Sequence, residues 1–156
     1  MIFVCAMTMA QTNAYPLLPM PQNYKVTDKS FAMGKVKLST PVLKSEWEAF
    51  IVNAGGELAD KAAAEIKVEL LPVIDGVKLN PDEAYRLSVS GKLIKIEAVT
   101  ERGVYWALQT LRQLEKKKGK KSLFAGCEIV DWPAFRIRGF MQDAVSYTHL
   151  TLPTIA

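Results

Sequence analysis

Few side chains of this sequence have the types and spacing that catalysis or metal binding requires. The only histidine is His149 and the two cysteines are Cys5 and Cys127, so no His-x-x-x-His or Cys-x-x-Cys pair exists. We therefore predict no zinc site. His149 lies in a terminal stretch that is set aside below, which leaves Ser-His-Asp or Cys-His catalysis without a base. No glycine-rich phosphate-binding loop is present, and we predict no cofactor.

Asp82 and Glu83 are adjacent carboxylates, an arrangement that general acid–base catalysis can use. They follow Asn80-Pro81, and turn chemistry explains this run without a catalytic role. A catalytic acid also needs a partly desolvated pocket that raises its pKa, which a charged loop does not offer. We therefore predict that this chain carries no catalytic residue.

The segment Arg136-Ile-Arg-Gly-Phe-Met-Gln-Asp143 has the most unusual pattern in the chain. As a strand, it places Arg136, Arg138, Phe140 and Gln142 on one face. Alternating arginine and aromatic side chains make a poor sheet core, but they suit the opening strand of a barrel whose inward end binds a polar ligand. On these residues alone, an edge strand with exposed arginines is the alternative.

The elements before this segment follow from the spacing of apolar residues. The pattern predicts, in chain order, a strand, a helix, a strand, a hairpin, a helix and a strand. Ser45-x-x-Glu48 has the form of a capping box and predicts the start of the first helix. Ser90-Gly91 predicts the hairpin turn, and Thr100 is a good N-cap for the second helix. The predicted strands are 31–38, 66–70, 85–89, 93–99 and 127–130, and the second helix is 100–118.

This order predicts an α/β fold of the α+β sandwich type, in which helices pack on one face of a mixed sheet. The second helix supplies the centre of the core, because its apolar residues recur on one helical face. These residues are Val104, Ala107, Leu108, Leu111 and Leu114.

The formal charge of +4 arises from one local run of five lysines between positions 116 and 121, since the remainder of the chain carries −1. A nucleic-acid site usually spreads Lys and Arg over a face and interleaves aromatic residues. Because the run does neither, we predict a solvated helix end and no nucleic-acid partner. A phosphate or anionic-glycan contact is the lesser alternative.

The first ten residues resemble the end of a secretory signal, with an apolar core followed by small residues and a cleavage site after Ala10. We therefore expect an exported protein, periplasmic or extracellular, although an apolar first strand is the alternative. No apolar run reaches the roughly 18–20 residues needed to cross a bilayer, so no membrane span is predicted. The sequence does not indicate an oligomeric state.

Four stretches carry a resemblance to a known family. One of them, Glu83-Ala-Tyr-Arg-Leu-Ser-Val89, is similar to a hairpin strand of the family's small N-terminal domain. Thr100-Glu-Arg-Gly-Val-Tyr-Trp-Ala-Leu-Gln-Thr-Leu-Arg-Gln-Leu114 resembles the last helix of the small N-terminal domain of the β-N-acetylhexosaminidases of glycoside hydrolase family 20. Asp131-Trp-Pro-Ala-Phe-Arg-Ile-Arg-Gly-Phe-Met-Gln-Asp143 is similar to the family's junction into the first strand of its catalytic barrel. Tyr15-Pro-Leu-Leu-Pro-Met-Pro-Gln22 resembles the family's mature start.

The resemblance implies an exo-acting hydrolase that removes terminal β-linked GlcNAc or GalNAc. In this family the substrate's own 2-acetamido oxygen attacks the anomeric carbon, while an adjacent Asp-Glu pair of the barrel assists. No position of this chain matches that pair, so the fragment is predicted to be inactive. Arg138 matches an arginine that holds ring hydroxyls of the terminal sugar, and Asp143 matches a residue that braces the pocket. These two are the predicted substrate-binding residues.

The resemblance also implies the domain boundaries. Residues 1–14 are a signal-peptide remnant, 15–131 the non-catalytic N-terminal domain, and 132–144 an orphan first strand of a (β/α)8 barrel. Residues 145–156, which include His149, resemble a translated sequencing adapter and are excluded from the fold prediction. The alternative function is a free-standing accessory or binding module of the same fold, without a catalytic partner.

Overall fold

The computed structural model describes residues 17–139. Within that range the chain forms ten strands, two α-helices and one short 3₁₀ turn. These are β1 (Asn23–Val26), β2 (Phe31–Ala32), β3 (Lys35–Ser39), α1 (Lys44–Asn53), β4 (Glu57–Leu58), β5 (Ala64–Leu70), the 3₁₀ turn (Pro81–Glu83), β6 (Tyr85–Ser90), β7 (Leu93–Ala98), α2 (Glu101–Gln113), β8 (Glu115–Lys118), β9 (Lys121–Phe124) and β10 (Cys127–Asp131).

Seven of these strands form one mixed sheet in the order β1-β10-β6-β7-β5-β3-β4. The pairs β1–β10, β10–β6 and β6–β7 are antiparallel, whereas the pairs β7–β5, β5–β3 and β3–β4 are parallel. The predicted mixed sheet is therefore confirmed. The predicted hairpin is also present, with Ser90 paired to Leu93, so that its two-residue turn is Gly91-Lys92 rather than Ser90-Gly91.

The two faces of this sheet differ sharply in polarity. Alternate residues of β6 and β7, such as Leu87 and Ile96, are buried in one hydrophobic core with residues of both helices. The opposite face carries charged side chains: Lys95 Nζ lies 3.1 Å from Glu69 Oε2 and 2.5 Å from Glu97 Oε1. Because one face is apolar and the other ion-paired, α1 and α2 pack on a single side of the sheet, as predicted.

The α2 helix begins where the sequence predicts. Thr100 is its N-cap, and its Oγ1 accepts a hydrogen bond from the Arg102 amide at 3.2 Å. The predicted apolar face is buried throughout, with exposures of 1% or less from Val104 to Leu114 along the stripe. This periodic stripe is the strongest signal in the sequence, and the structure places it against β6 and β7.

The predicted continuation of α2 through the lysine run is wrong. The helix ends at Gln113, and the lysines lie on a β-hairpin formed by β8 and β9. Gly119, at φ 65°, makes the turn. Extended backbone is required here because Ser122 and Phe124 are buried as alternate residues of β9, and β9 also pairs with β2. Because β2 is far from β9 in the chain, the local periodicity of the sequence does not indicate this pairing.

Two smaller expectations are also wrong. Residues 31–38 do not form one strand, because β2 pairs with β9 whereas β3 belongs to the large sheet. The capping box does not form either, since α1 already begins at Lys44 after Leu43, whose φ is 53°. The Ser45 hydroxyl instead donates to Glu46 at 2.8 Å.

The predicted barrel strand extends beyond the described residues. Residues 132–139 contain no strand, and residues 140–144 lie outside the described range, so this strand stays a prediction. Phe135 and Ile137 are 73% and 91% exposed in this segment. Neither α-helix between residues 17 and 139 is long and apolar enough to span a bilayer.

Candidate functional site

The structure places one of the two predicted substrate-binding residues. Arg138 lies in the segment after β10, beside the 3₁₀ turn and the outer face of α2. Asp143 lies outside the described residues. Asp82 and Glu83, considered above as a carboxylate pair, form the end of the 3₁₀ turn.

Arg138 is held by an acidic and an aromatic residue, which together we call the Arg138 cluster: Arg138, Glu83 and Trp106. Arg138 Nη2 donates to Glu83 Oε2 at 2.5 Å, and the guanidinium carbon lies 6.0 Å from the Trp106 ring centroid. Trp106 Nε1 donates to the same Glu83 oxygen at 3.0 Å. The Glu83 side chain is only 12% exposed, whereas that of Arg138 is 42% exposed. Glu83 therefore fixes the orientation of both the guanidinium and the indole.

The start of α2 positions this cluster. The Thr100 hydroxyl donates to the Asp82 carbonyl, which ties the 3₁₀ turn to the helix N-terminus. Gly103 lies against the next residue of the turn, since a Cβ at this position would be 2.3 Å from the Ala84 carbonyl oxygen. Because both contacts require close approach, Glu83 is set at a fixed distance from Trp106, one turn along the helix.

A second polar group, the Asp131 cluster, consists of Asp131, Tyr85 and Thr110. The Tyr85 hydroxyl donates to Asp131 Oδ2 at 3.3 Å, and Tyr85 Oη lies 2.6 Å from Thr110 Oγ1. Asp131 Oδ1 accepts from the Gln22 amide at 3.0 Å. Burial raises the pKa of the Asp131 carboxyl, although these amide and hydroxyl donors oppose the shift. Burial and the nearby Asp131 charge likewise raise the pKa of Tyr85.

A groove of about 510 Å³ lies between the two clusters. The N-terminal segment forms one wall and is fixed to α2, because Gln113 Oε1 accepts from the Leu18 amide at 2.9 Å and Gln113 Nε2 donates to the Leu18 carbonyl at 3.0 Å. Trp106, Trp132 and Phe135 supply aromatic surface to the groove. Aromatic faces beside hydrogen-bonding carboxylates and amides are typical of small-molecule sites.

The carboxylates of both clusters are already engaged in hydrogen bonds within the described residues. The Glu83 carboxylate already accepts two hydrogen bonds, and Asp131 is bonded within its own cluster. Cys127 is fully buried, and burial raises the pKa of its thiol to about 12, so it is no nucleophile at neutral pH. Residues 17–139 contain no group of three His, Cys, Asp or Glu side chains that could hold a metal ion.

Sequence analysis identified Arg138 but missed the residues that surround it. Glu83 was considered only as a catalytic acid, and Trp106 only as part of the helix motif. Arg138 and Glu83 are 55 residues apart in the chain, and no local pattern links them. The Asp131 cluster was also not predicted, although Asp131 lies in the junction motif.

A known family model matches the part of the chain that contains the sheet and its helices. The family model for glycosyl hydrolase family 20, domain 2, matches residues 14–132. A β-hexosaminidase of Vibrio furnissii is 34% identical over 90 residues, which is 58% of this chain and 14% of that protein.

Solved structures give a consistent result. The exo-β-N-acetylglucosaminidase of Vibrio harveyi matches with a TM-score of 0.60 and 31% identity, over 80% of this chain and 20% of that one. The β-N-acetylhexosaminidase of Bacteroides fragilis has a TM-score of 0.59 and 22% identity over 78% of this chain and 25% of that one, a likeness of fold alone. The chain spans a quarter or less of the length of these relatives. Residues 14–132 match a family model over most of the chain, and the chain therefore belongs to glycosyl hydrolase family 20, whose domain 2 it carries.

Proposed function

We propose that this chain is the non-catalytic N-terminal part of an exo-β-N-acetylhexosaminidase that removes terminal β-linked GlcNAc or GalNAc. The observation that carries the proposal is the family match, which ends at Trp132, directly before the segment that carries Arg138. The similar Vibrio harveyi protein has been solved in complex with N-acetylglucosamine. The whole enzyme would use the substrate-assisted retaining mechanism, with its catalytic Asp-Glu pair supplied by a barrel that this chain does not contain.

The role of this chain in that enzyme would be to fix the start of the barrel. Asp131 and Trp132 end the sheet domain, and Arg138 follows six residues later. A guanidinium presents several donors in a planar fork, which fits two neighbouring ring hydroxyls of a sugar. The Arg138 side chain is 42% exposed and can reach a sugar, whereas the Glu83 side chain is only 12% exposed. When the guanidinium turns to sugar hydroxyls, Glu83 Oε2 keeps the hydrogen bond from Trp106 Nε1, so the carboxylate is not left without a partner.

Exposed apolar side chains support the presence of a further domain. Tyr105 and Trp106 are 45% and 41% exposed on the outer face of α2, and their rings pack edge to face at 5.3 Å. Phe135 and Ile137 add exposed apolar surface in the segment after β10. Trp106 and Phe135 line the same groove, and exposed apolar surface of this kind marks a contact with another domain or protein. We propose that the catalytic barrel covers it.

Export is part of the same proposal. It rests first on the signal-like composition of residues 1–10. It rests also on the proposed substrate, since an enzyme that trims polymeric glycans meets them outside the cytoplasm. Periplasmic or extracellular recovery of the protein, with an N-terminus at residue 11, would support this. Recovery of the uncleaved chain in the cytoplasm would contradict it.

The first experiment is a single long sequencing read through the codons of residues 140–156. We expect the reading frame to continue into a barrel with an adjacent Asp-Glu pair. The protein expressed from that frame should hydrolyse an aryl N-acetylglucosaminide, and Arg138→Ala should lower its kcat/KM. The 156-residue chain alone should give no turnover. Turnover by this chain, or full activity of the Arg138→Ala enzyme, would contradict the proposal.

The groove favours a second candidate function, a free-standing carbohydrate-binding module. Titration of the chain with N-acetylglucosamine, followed by tryptophan fluorescence, separates the two functions. Saturable binding that Trp106→Ala abolishes, together with a genuine stop codon after Ala156, would favour the module. If the groove is instead a surface on which the barrel packs and has no affinity for sugar, N-acetylglucosamine should leave the tryptophan emission of the chain unchanged.

A further inference from the structure

The tip of the β8–β9 hairpin concentrates positive charge at one edge of the molecule. Lys118 and Lys121 are direct partners across the two strands, and Lys120 lies in the turn between them. Like charges that face each other across a strand pair destabilise it. The facing of Lys118 and Lys121 therefore costs stability within the hairpin, although lysines on β8 also protect this edge strand from pairing with another chain.

Several lysines elsewhere in the described residues lie beside a carboxylate. On the open sheet face, lysines are matched with glutamates, as in the pairs Lys25–Glu128, Lys35–Glu57 and Lys37–Glu65 at 3.7–3.9 Å. Within the run, Lys117 is matched as well: its Nζ lies 2.9 Å from Glu115 Oε1 and donates to the Asn53 carbonyl at 2.9 Å.

By contrast, the three tip lysines make no ion pair with any acidic side chain in residues 17–139. The register sets Lys118 directly opposite Lys121 with Lys120 in the turn between them, so three positive charges without a matching carboxylate lie on one short hairpin. We call Lys118, Lys120 and Lys121 the lysine tip.

The backbone that carries the lysine tip is fixed. The Ser122 amide donates to the Ala54 carbonyl at 3.0 Å, and the Ser122 carbonyl accepts from the Met33 amide at 2.9 Å. Gly55 packs against the turn so closely that a Cβ there would be 2.0 Å from the Lys120 carbonyl oxygen. Because the hairpin is anchored to the end of α1, little backbone ordering is needed for these charges to bind an anion.

We propose that the lysine tip binds an acidic polysaccharide, at a surface separate from the Arg138 cluster. Cα atoms of facing residues in an antiparallel pair are about 4.5–5.5 Å apart, so both strands can contact neighbouring anionic groups of one polymer chain. A single-stranded nucleic acid fits less well, because stacking on its bases needs exposed aromatic rings, and the nearby Phe31 and Phe124 are fully buried. The choice of a glycan rests on the proposed function, but the binding itself does not require hydrolysis.

The test compares two triple variants of the whole chain. Lys118→Gln, Lys120→Gln and Lys121→Gln remove the lysine tip, whereas Lys25→Gln, Lys35→Gln and Lys37→Gln remove the same charge from the ion-paired sheet face. Affinity for a fluorescent heparin oligosaccharide is measured by anisotropy at low and high salt, beside uncharged dextran and a DNA strand of similar charge.

We expect the tip variant to bind heparin about ten-fold more weakly at low salt and with a smaller salt dependence. The sheet-face variant should stay within about two-fold of the parent chain. The tip variant should melt at the same or a higher temperature, because it loses a repulsion. Equal weakening in both variants, tighter binding to DNA than to heparin, or no heparin binding by the parent chain would each overturn the proposal. None of these results depends on whether the whole enzyme hydrolyses N-acetylglucosaminides.

Discussion

Replacement of Gly103 by alanine should loosen the contact between α2 and the 3₁₀ turn. A Cβ at this position would lie 2.3 Å from the Ala84 carbonyl oxygen and 3.0 Å from Ala98 Cβ. Non-bonded heavy atoms pack best at about 3.5–4.0 Å, so the first distance is more than an ångström too short. Ala84 and Ala98 are both fully buried, and neither can swing away as a long side chain can.

The expected loss combines two opposing effects. Overpacking of a close-packed interior costs about 1–3 kcal/mol. Alanine returns up to about 1 kcal/mol relative to glycine inside a helix. Because the closest atom belongs to the backbone and cannot move aside, the upper part of the overpacking range applies. We therefore expect Gly103→Ala to lower the free energy of unfolding by roughly 1–2 kcal/mol.

Urea unfolding followed by circular dichroism measures this difference, with Gly34→Ala as the matched control. A Cβ at Gly34 would meet nothing within 4 Å, and its φ lies outside the left-handed region. The control should therefore be neutral or stabilising by up to about 1 kcal/mol. A shift of Ala84 also displaces Glu83 relative to Trp106, so the tryptophan emission of the chain should change in Gly103→Ala and not in Gly34→Ala.

Equal midpoints for Gly103→Ala and Gly34→Ala, at equal m-values, would refute this reasoning. Such a result would mean that α2 can move away from the turn without loss of packing. The positioning of the Arg138 cluster by the start of α2 would then be wrong as well.

Three further outcomes are expected. Burial raises the pKa of Asp131 above its unfolded value. The contribution of this group to stability is therefore fully present below the unfolded pKa and is lost as pH rises through the folded pKa. Urea unfolding across pH should show this loss in the parent chain and not in Asp131→Asn, and parallel curves for the two would contradict it. Thr100→Ala removes the N-cap and the bond to the Asp82 carbonyl, and it should lower the unfolding free energy by about 1–2 kcal/mol in the same assay; an unchanged midpoint would mean that the cap contributes nothing. Cys127 is fully buried, and burial raises the pKa of its thiol to about 12. Iodoacetamide should therefore alkylate it far more slowly in the native protein than in urea, as measured by site-resolved mass spectrometry. Equal rates would show that β10 opens readily.

Much of the fold was predictable because its signals are local. The apolar stripe of α2 repeats within one helix, and the alternation of β6 and β7 lies on either side of a short turn. Thr100 caps its own helix through an amide only two residues away. Such contacts depend on residues that are neighbours in the chain, so the order of elements and the mixed sheet with two helices could be predicted.

The family resemblance was also a matter of local sequence. The helix motif and the Asp-Trp-Pro junction are continuous runs of residues, and the comparison with known proteins confirms the family. Arg138 was recognised in the same way, although its role as a sugar ligand stays a proposal. The export signal, Asp143 and the barrel strand likewise remain predictions.

Tertiary structure decided what depends on partners far apart in the chain. The lysine run follows a helix, and its charge suits a helix end. It is nevertheless extended, because β8 pairs with β9, and β9 in turn pairs with β2, which lies far earlier in the chain. Glu83 meets Arg138, and Tyr85 meets Asp131, across separations of 55 and 46 residues. The sequence alone determined which segments are helical or extended and which family they resemble. Only folding determined which side chains meet, because the packing of the sheet brings together residues that no periodic pattern connects.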